Sequence, residues 1–210
     1  LQEGRDADAA HVIDDLRRSA DLNASDFKAG YASTAMPVRY ALERRQWTEA
    51  ARMSPPPVGA PHIAAIAVWA QILGLARGGH AVEATAQIPK LRRLAAQLRS
   101  AGNDYWATQI DIQADEAQAW CAQAAGKPEQ ALALLRKAAD SEDAIEKLPV
   151  TPGPIIPARE QLGDLLLEQS QPALAAVEFQ TALKDAPGRR GALRGAAQAA
   201  KLTRIANARP

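Results

Sequence analysis

Small residues return at long, nearly regular intervals along this chain, and that recurrence constrains its fold more than any short motif in it. The alanines Ala9, Ala50, Ala84, Ala131 and Ala175 close the stretches GRDADA, RQWTEA, GHAVEA, GKPEQA and SQPALA, at spacings of 41, 34, 47 and 44 residues. A period of about 34 residues is that of a two-helix unit stacked on copies of itself. In the best-formed unit, Ile156 to Arg189, Leu162, Gly163, Leu166, Ala175, Phe179, Ala182 and Pro187 fall at positions 7, 8, 11, 20, 24, 27 and 32. The small side chains at 8, 20 and 27 let neighbouring helices approach closely and the large ones fill the spaces between. Pro187 then ends the second helix.

The rest of the chain agrees with helices. Alanine, leucine, glutamine and arginine dominate, aromatics make up only 4%, and no long alternation of β-branched residues occurs. Apolar residues recur at three and four, as in Ala131, Leu134, Leu135 and Ala138. Breakers such as Ser54-Pro55-Pro56-Pro57, Gly78-Gly79 and Gly126-Lys127-Pro128 divide these runs into roughly ten helices.

These positions resemble the signature of the tetratricopeptide repeat (TPR), except that Arg159 stands where the first signature residue is aromatic. The resemblance is closest over residues 103–203. The stretches YALERRQW, DYWATQIDIQ and EKLPVTPGPIIPARE are also similar to the C-terminal part of a group of bacterial TPR proteins whose longer members carry further N-terminal helices and often an export signal. The resemblance implies an all-α, right-handed α-solenoid of irregular helix pairs. One domain would span residues 1–210, with a capping helix from Arg190 onward. It also implies that the chain, which opens at Leu1 in what reads as mid-helix, is a fragment of a longer protein. An exported or periplasmic location follows from the resemblance alone, and a cytoplasmic one stays open.

Only one spacing equals the plain repeat, so the others carry insertions. SPPPVGAP follows a short helix near Trp47 to Met53, and the helix from Ala81 to Ser100 is extended by extra turns. A proline-rich spacer at 147–156 separates the fourth and fifth units. Its prolines restrict the unfolded chain, and Leu148, Val150, Ile155 and Ile156 give it apolar surface. It is expected to be an ordered strap packed on neighbouring helices, with Ile155 and Ile156 hidden from solvent and Pro157 in the first turn of the next helix.

Composition narrows the function classes. The chain has 210 residues and 47% hydrophobic content, enough to bury a core. With 25 Lys and Arg against 24 Asp and Glu, the net charge of +1 draws it to neither nucleic acid nor acidic membranes. No apolar run reaches the length of a membrane span. Cys121, the one cysteine, leaves no internal disulfide and no CxxC site.

Candidate chemistry is sparse. His11, His62 and His80 stand apart from each other and from any partner at metal-ligand spacing. Cys121 sits on an alanine-rich helix, the setting of a buried small thiol. Asp111, Asp115 and Glu116 share two helical turns but lack a calcium loop's glycine, and read as the solvated side of an amphipathic helix. The same holds for Asp140, Glu142, Asp143 and Glu146, with Lys137 and Lys147 as partners. The pairs Arg17-Arg18, Arg44-Arg45, Arg92-Arg93 and Arg189-Arg190 lack interleaved aromatics and read as solvated faces or helix C-terminal charges. No enzyme, cofactor or metal site is expected.

The resemblance offers a binding surface instead. First helices of TPR units line a concave groove, and the ligand-facing register falls here on Arg39 and Glu43, Trp69 and Arg77, Glu116 and Trp120, Glu160 and Asp164, and Arg194 and Lys201. Tryptophan and arginine are frequent anchors for peptides. Trp69 and Trp120 have a second reading as filler between repeats. The expected function is a non-catalytic scaffold that binds a protein or peptide segment. Alternatives are an accessory or regulatory domain of a larger enzyme or export assembly, and a small-molecule pocket between repeats.

Overall fold

The computed structural model describes residues 1–19, 27–146 and 152–207. Among these residues the chain forms ten α-helices and no strand: α1 (Asp6–Arg18), α2 (Phe27–Glu43), α3 (Trp47–Ala51), α4 (Pro61–Arg77), α5 (Ala81–Ser100), α6 (Asp104–Ala124), α7 (Pro128–Asp143), α8 (Ala158–Glu168), α9 (Pro172–Asp185) and α10 (Arg190–Asn207). The breaks fall where glycine and proline place them. Pro61, Pro128 and Pro172 open α4, α7 and α9, at positions whose N–H would have no intrahelical acceptor in any case.

Five connections close with one and the same turn. The N–H groups of Gln46, His80, Asn103, Lys127 and Gln171 bond the carbonyls of Ala41, Leu75, Leu98, Ala122 and Leu166 at 2.8–2.9 Å. The residue before each donor is left-handed: Arg45 (φ 54°), Gly79 (88°), Gly102 (75°), Gly126 (71°) and Ser170 (57°). This closure satisfies a terminal carbonyl and turns the chain back within a few residues. Its consequence is that most helices pack chiefly on their sequence neighbours, α4 on α5, α5 on α6, α6 on α7, α8 on α9 and α9 on α10, while α2 lies mainly against α4.

The small residues that recur in the sequence mark the closest approaches. Ala50, Ala84, Ala131 and Ala175 are fully buried, and Ala9 is half-buried. A Cβ on Gly74 of α4 would lie 2.2 Å from the Ala51 nitrogen, so α3 rests directly on the α4 backbone. Gly163 of α8 and Gly195 of α10 hold the Phe179 ring between them; a Cβ on either would come within 2.6 Å and 2.3 Å of it. Phe179, at the large position of the best-formed unit, is thereby locked between the helices on both sides.

The proline-rich spacer does more than connect. Its residues 152–155 lie over α2, α4 and α6, beside Tyr31, His62, Trp106 and Gln109, and Arg39 donates to the Pro154 carbonyl at 3.1 Å. Ile155 is 4% exposed and belongs to the core. Ile156 is half-buried, more open than expected. Leu148 and Val150 lie outside the described residues. Pro157 precedes the helix rather than sitting in its first turn, with ψ at 140°, and the Ala158 N–H is capped from a distance by Glu142 Oε1 at 2.9 Å.

Candidate binding cleft

The array curls until its two ends meet. The α2 C-terminus, the end of α4, α6, α8 and the start of α10 converge on a narrow cleft of about 40 Å³, lined in part by Glu43, Arg77, Trp120, Glu160, Asp164 and Arg194. Six of the ten residues in the expected register thus come together. Arg45 and Trp47 complete the wall.

Each side chain has a local reason for its place. The Arg77 guanidinium lies 4.3 Å from the Trp120 ring centre and 5.2 Å from that of Trp47, a cation–π stack of about 0.5–2 kcal/mol per ring depending on desolvation. It also donates in bidentate fashion to Glu168 of α8, at 2.8 Å from Nη1. Trp120 donates to Gln161 Oε1 at 2.9 Å, and Gln161 Nε2 donates to the Ile156 carbonyl at 3.1 Å. The aromatic floor is therefore tied to the strap through one glutamine.

Arg189 closes the far side. Only 6% exposed, it donates to Glu160 from Nε at 2.7 Å and pairs with Glu43 of α2. Burial disfavours its charge, but the bonds to Glu160 and the field of Glu43 more than reverse this and push its pKa up. Arg45 forks onto both Asp164 oxygens at 3.1 Å. Desolvation pushes the Asp164 carboxyl up, against the pull of Arg45 and Arg77.

The other four residues of the register lie elsewhere. Trp69 is 1% exposed and fills the core. Glu116 is 2% exposed beneath Trp69, Gln161 and Glu142. Burial and the neighbouring Glu142 push its pKa well above the usual carboxylate range, opposed by Gln161 and by the Trp69 N–H. Arg39 faces the strap, and Lys201 is an exposed residue on α10.

Several charged residues are less solvated than their helices' patterns imply. Asp115 and Glu116 are buried, not on a wet face, because Arg92 reaches across from α5 and Lys137 from α7 (2.9 Å) to neutralise Asp115. Asp140 and Asp143 pair with Arg159 at 2.6 and 2.8 Å, while Lys137 serves Asp115; Lys147 lies outside the described residues. Arg189 is interior, and Arg44 and Arg190 both hold Asp6, at 2.8 and 2.7 Å. Arg17 and Arg18 do sit exposed at the end of α1. The arginine that replaces an aromatic in the fifth unit, Arg159, thus pins α7 to α9 through Asp140, Asp143 and Glu178.

A larger cavity of about 470 Å³ lies between the strap and the ends of α7 and α9, with Tyr105, Arg39 and Arg159 among its walls. Trp69, Tyr105, Trp106 and Trp120 do not share one enclosure: Tyr105 borders this cavity, Trp106 stacks on His62 at 4.3 Å, and Trp120 floors the cleft. Burial pushes the His62 imidazole down, favouring its neutral form, and pushes the Cys121 thiol up, away from the reactive thiolate. Among the described residues no three His, Cys, Asp or Glu side chains are arranged to hold a metal, and no helix is long and apolar enough to cross a membrane.

Arg45, Trp47 and Gln161, which line the cleft, and Arg189, which holds its Glu43 and Glu160 from behind, were not legible from helical register. Arg45 and Arg189 stand in connections between helices, where a register counted along first helices does not reach. No protein-family model, curated protein or solved structure matches the chain.

Proposed function

We propose that this chain is a non-catalytic binding scaffold, a right-handed α-solenoid of irregular TPR-like pairs that receives part of a protein or peptide partner in the cleft at its closure. The observation that carries this reading is the convergence of Glu43, Arg77, Trp120, Glu160, Asp164 and Arg194, drawn from five different helices, on one cleft. The cleft admits a side chain or a short terminus rather than a long peptide. The strap already lies across α2, α4 and α6, where an extended ligand would otherwise run. A stacked guanidinium between two indoles with acids and arginines around it suits an anchor side chain that is flat or charged.

Selection of displayed peptides on the folded chain tests the reading. Peptides enriched by the native chain should bind Arg194→Glu at least tenfold more weakly, since Arg194 is exposed at the cleft mouth. Enriched peptides that bind both proteins equally would rule the cleft out as the binding surface.

A further inference from the structure

We propose that the cavity beside this cleft, where the end of α2 faces the first turn of α10, binds a phosphate group. The cavity is about 240 Å³ and shares Glu43, Arg45, Gly191 and Arg194 with the cleft. The proposal deepens the scaffold reading by naming the chemistry of a ligand group there, and its biological setting rests on that reading.

The charge inventory is the first argument. Four guanidiniums, from Arg44, Arg45, Arg190 and Arg194, face this space against two carboxylates, Asp6 and Glu43. Asp6 is already divided between Arg44 and Arg190. Glu43 is occupied from the interior by Arg189, and Arg45 turns to Asp164. Arg194 lines both spaces, is exposed, and has no ion-pair partner among the described residues. Among the wall residues guanidiniums outnumber carboxylates by two, and Asp164, which Arg45 and Arg194 both influence, stands just outside them, so the walls keep a positive excess that an oxyanion would neutralise.

Geometry supports the same ligand. The α10 helix starts at this cavity: the Arg190 N–H is bonded to Gln2 Oε1 at 2.8 Å, and the first bond within the turn is from Leu193 to Arg189. The N–H group of Gly191, which lines the cavity, therefore has no acceptor within the helix, at the positive end of an 18-residue macrodipole. On its other side Gly191 packs against a carboxylate that Arg189 already holds: a Cβ there would fall 2.1 Å from Glu160 Oε1. The volume equals about eight water molecules, room for a hydrated phosphate. Guanidinium forks from several directions match tetrahedral oxygens better than a single ammonium would. No aromatic ring lines the cavity, so a nucleobase would find nothing to stack on and the phosphate itself is the recognised group.

The test uses the full chain at low ionic strength, titrated with inorganic phosphate and, separately, with a short peptide bearing one phosphoserine, by calorimetry. One saturable site is expected for at least one probe. It should weaken at least tenfold in Arg194→Gln and stay unchanged in Arg136→Gln, an exposed arginine on α7. Asp6→Asn removes the competing carboxylate and should tighten binding severalfold, a gain that misfolding cannot produce. Tighter binding of the phosphopeptide would place the phosphate on a protein partner; equal or tighter binding of inorganic phosphate would make the free ion the ligand. Absence of saturation with either probe, equal weakening in both arginine variants, or no gain in Asp6→Asn would overturn the proposal. Phosphate binding retained by a chain that selects no peptide would sink the scaffold reading and leave this site standing.

Discussion

The middle of the molecule and its closing seam are held together by different chemistry. From α4 to α7 the contacts are made by Ala65, Ile72, Ala84, Leu91, Ala107 and Leu135, all essentially buried. At the seam, α1, α2 with its following turn, and α4 meet α8 and the start of α10 through Arg45–Asp164, Arg77–Glu168, Arg189–Glu43 and Arg190–Asp6. Packing by shape works between helices that adjoin in sequence, since the repeated turn brings the same faces together each time. The seam joins residues at least 91 positions apart whose faces were not selected by any repeat, and long, adaptable arginines span the gap. The lesson is that the apolar packing of the middle should be indifferent to salt, with only its Arg92–Asp115–Lys137 cluster responding, and the seam sensitive to it, the more so where its pairs are exposed.

The largest effect separates the two regions directly. Trp69→Ala removes a side chain that is 1% exposed at the centre of the middle region and should cost about 3–5 kcal/mol, by lost burial plus the cavity left behind. Urea denaturation at low and at high salt measures it. The loss should be the same at both, and a strong salt dependence would show that the middle is held by charge after all.

That contrast also explains what the sequence made legible. The helices, their breaks and the tight positions could be read because Ala50, Ala84, Ala131 and Ala175 are small for a purely steric reason, and sterics recur with each unit. Within the insertion, the described residues 152–156 were recognisable as packed from Ile155, whose apolar side chain among prolines has no use in solvent. The cleft was legible only in part. Register along first helices picked out Arg77, Trp120 and Asp164, but treated Trp69 and Glu116 as equivalent to them, although the helix pair around α6 turns these two inward. Ion pairs such as Arg189 with Glu43 and Glu160 left no mark in the sequence, because they depend on how far the whole array curls and not on any local pattern.

Two buried carboxyls in the middle break its apolar rule, Asp115 with Arg92 and Lys137 on it and Glu116 with none, and Glu116 gives a middle-sized effect. Glu116, on α6, faces Trp69 of α4, Glu142 of α7 and Gln161 of α8, with Asp115 beside it. Its folded pKa is raised, so the folded state holds a proton that the unfolded chain releases near 4.5. The stability this contributes is complete below that ordinary value. It is lost as pH rises toward the raised one, by at most about 1.4 kcal/mol per pH unit. Glu116→Gln keeps the shape without the ionisation and should flatten the fall in denaturation midpoint between pH 5 and pH 8. An unchanged slope in the variant would assign the titration to another group.

The smallest effect probes the seam at a half-exposed pair. Arg45 is 48% exposed and Asp164 29% exposed by side chain, so solvent screens the pair and its worth is about 0–1 kcal/mol. Asp164→Asn keeps the size and one acceptor while removing the charge. At low salt it should lower stability by less than about 1 kcal/mol, and at 0.5 M sodium chloride the difference from the native chain should vanish. If the difference persists at high salt, Asp164 acts through a desolvated hydrogen bond, as the upward push on its carboxyl would allow. The seam would then be packed more like the middle, and the division drawn between the two regions would fail at the place where it is easiest to test.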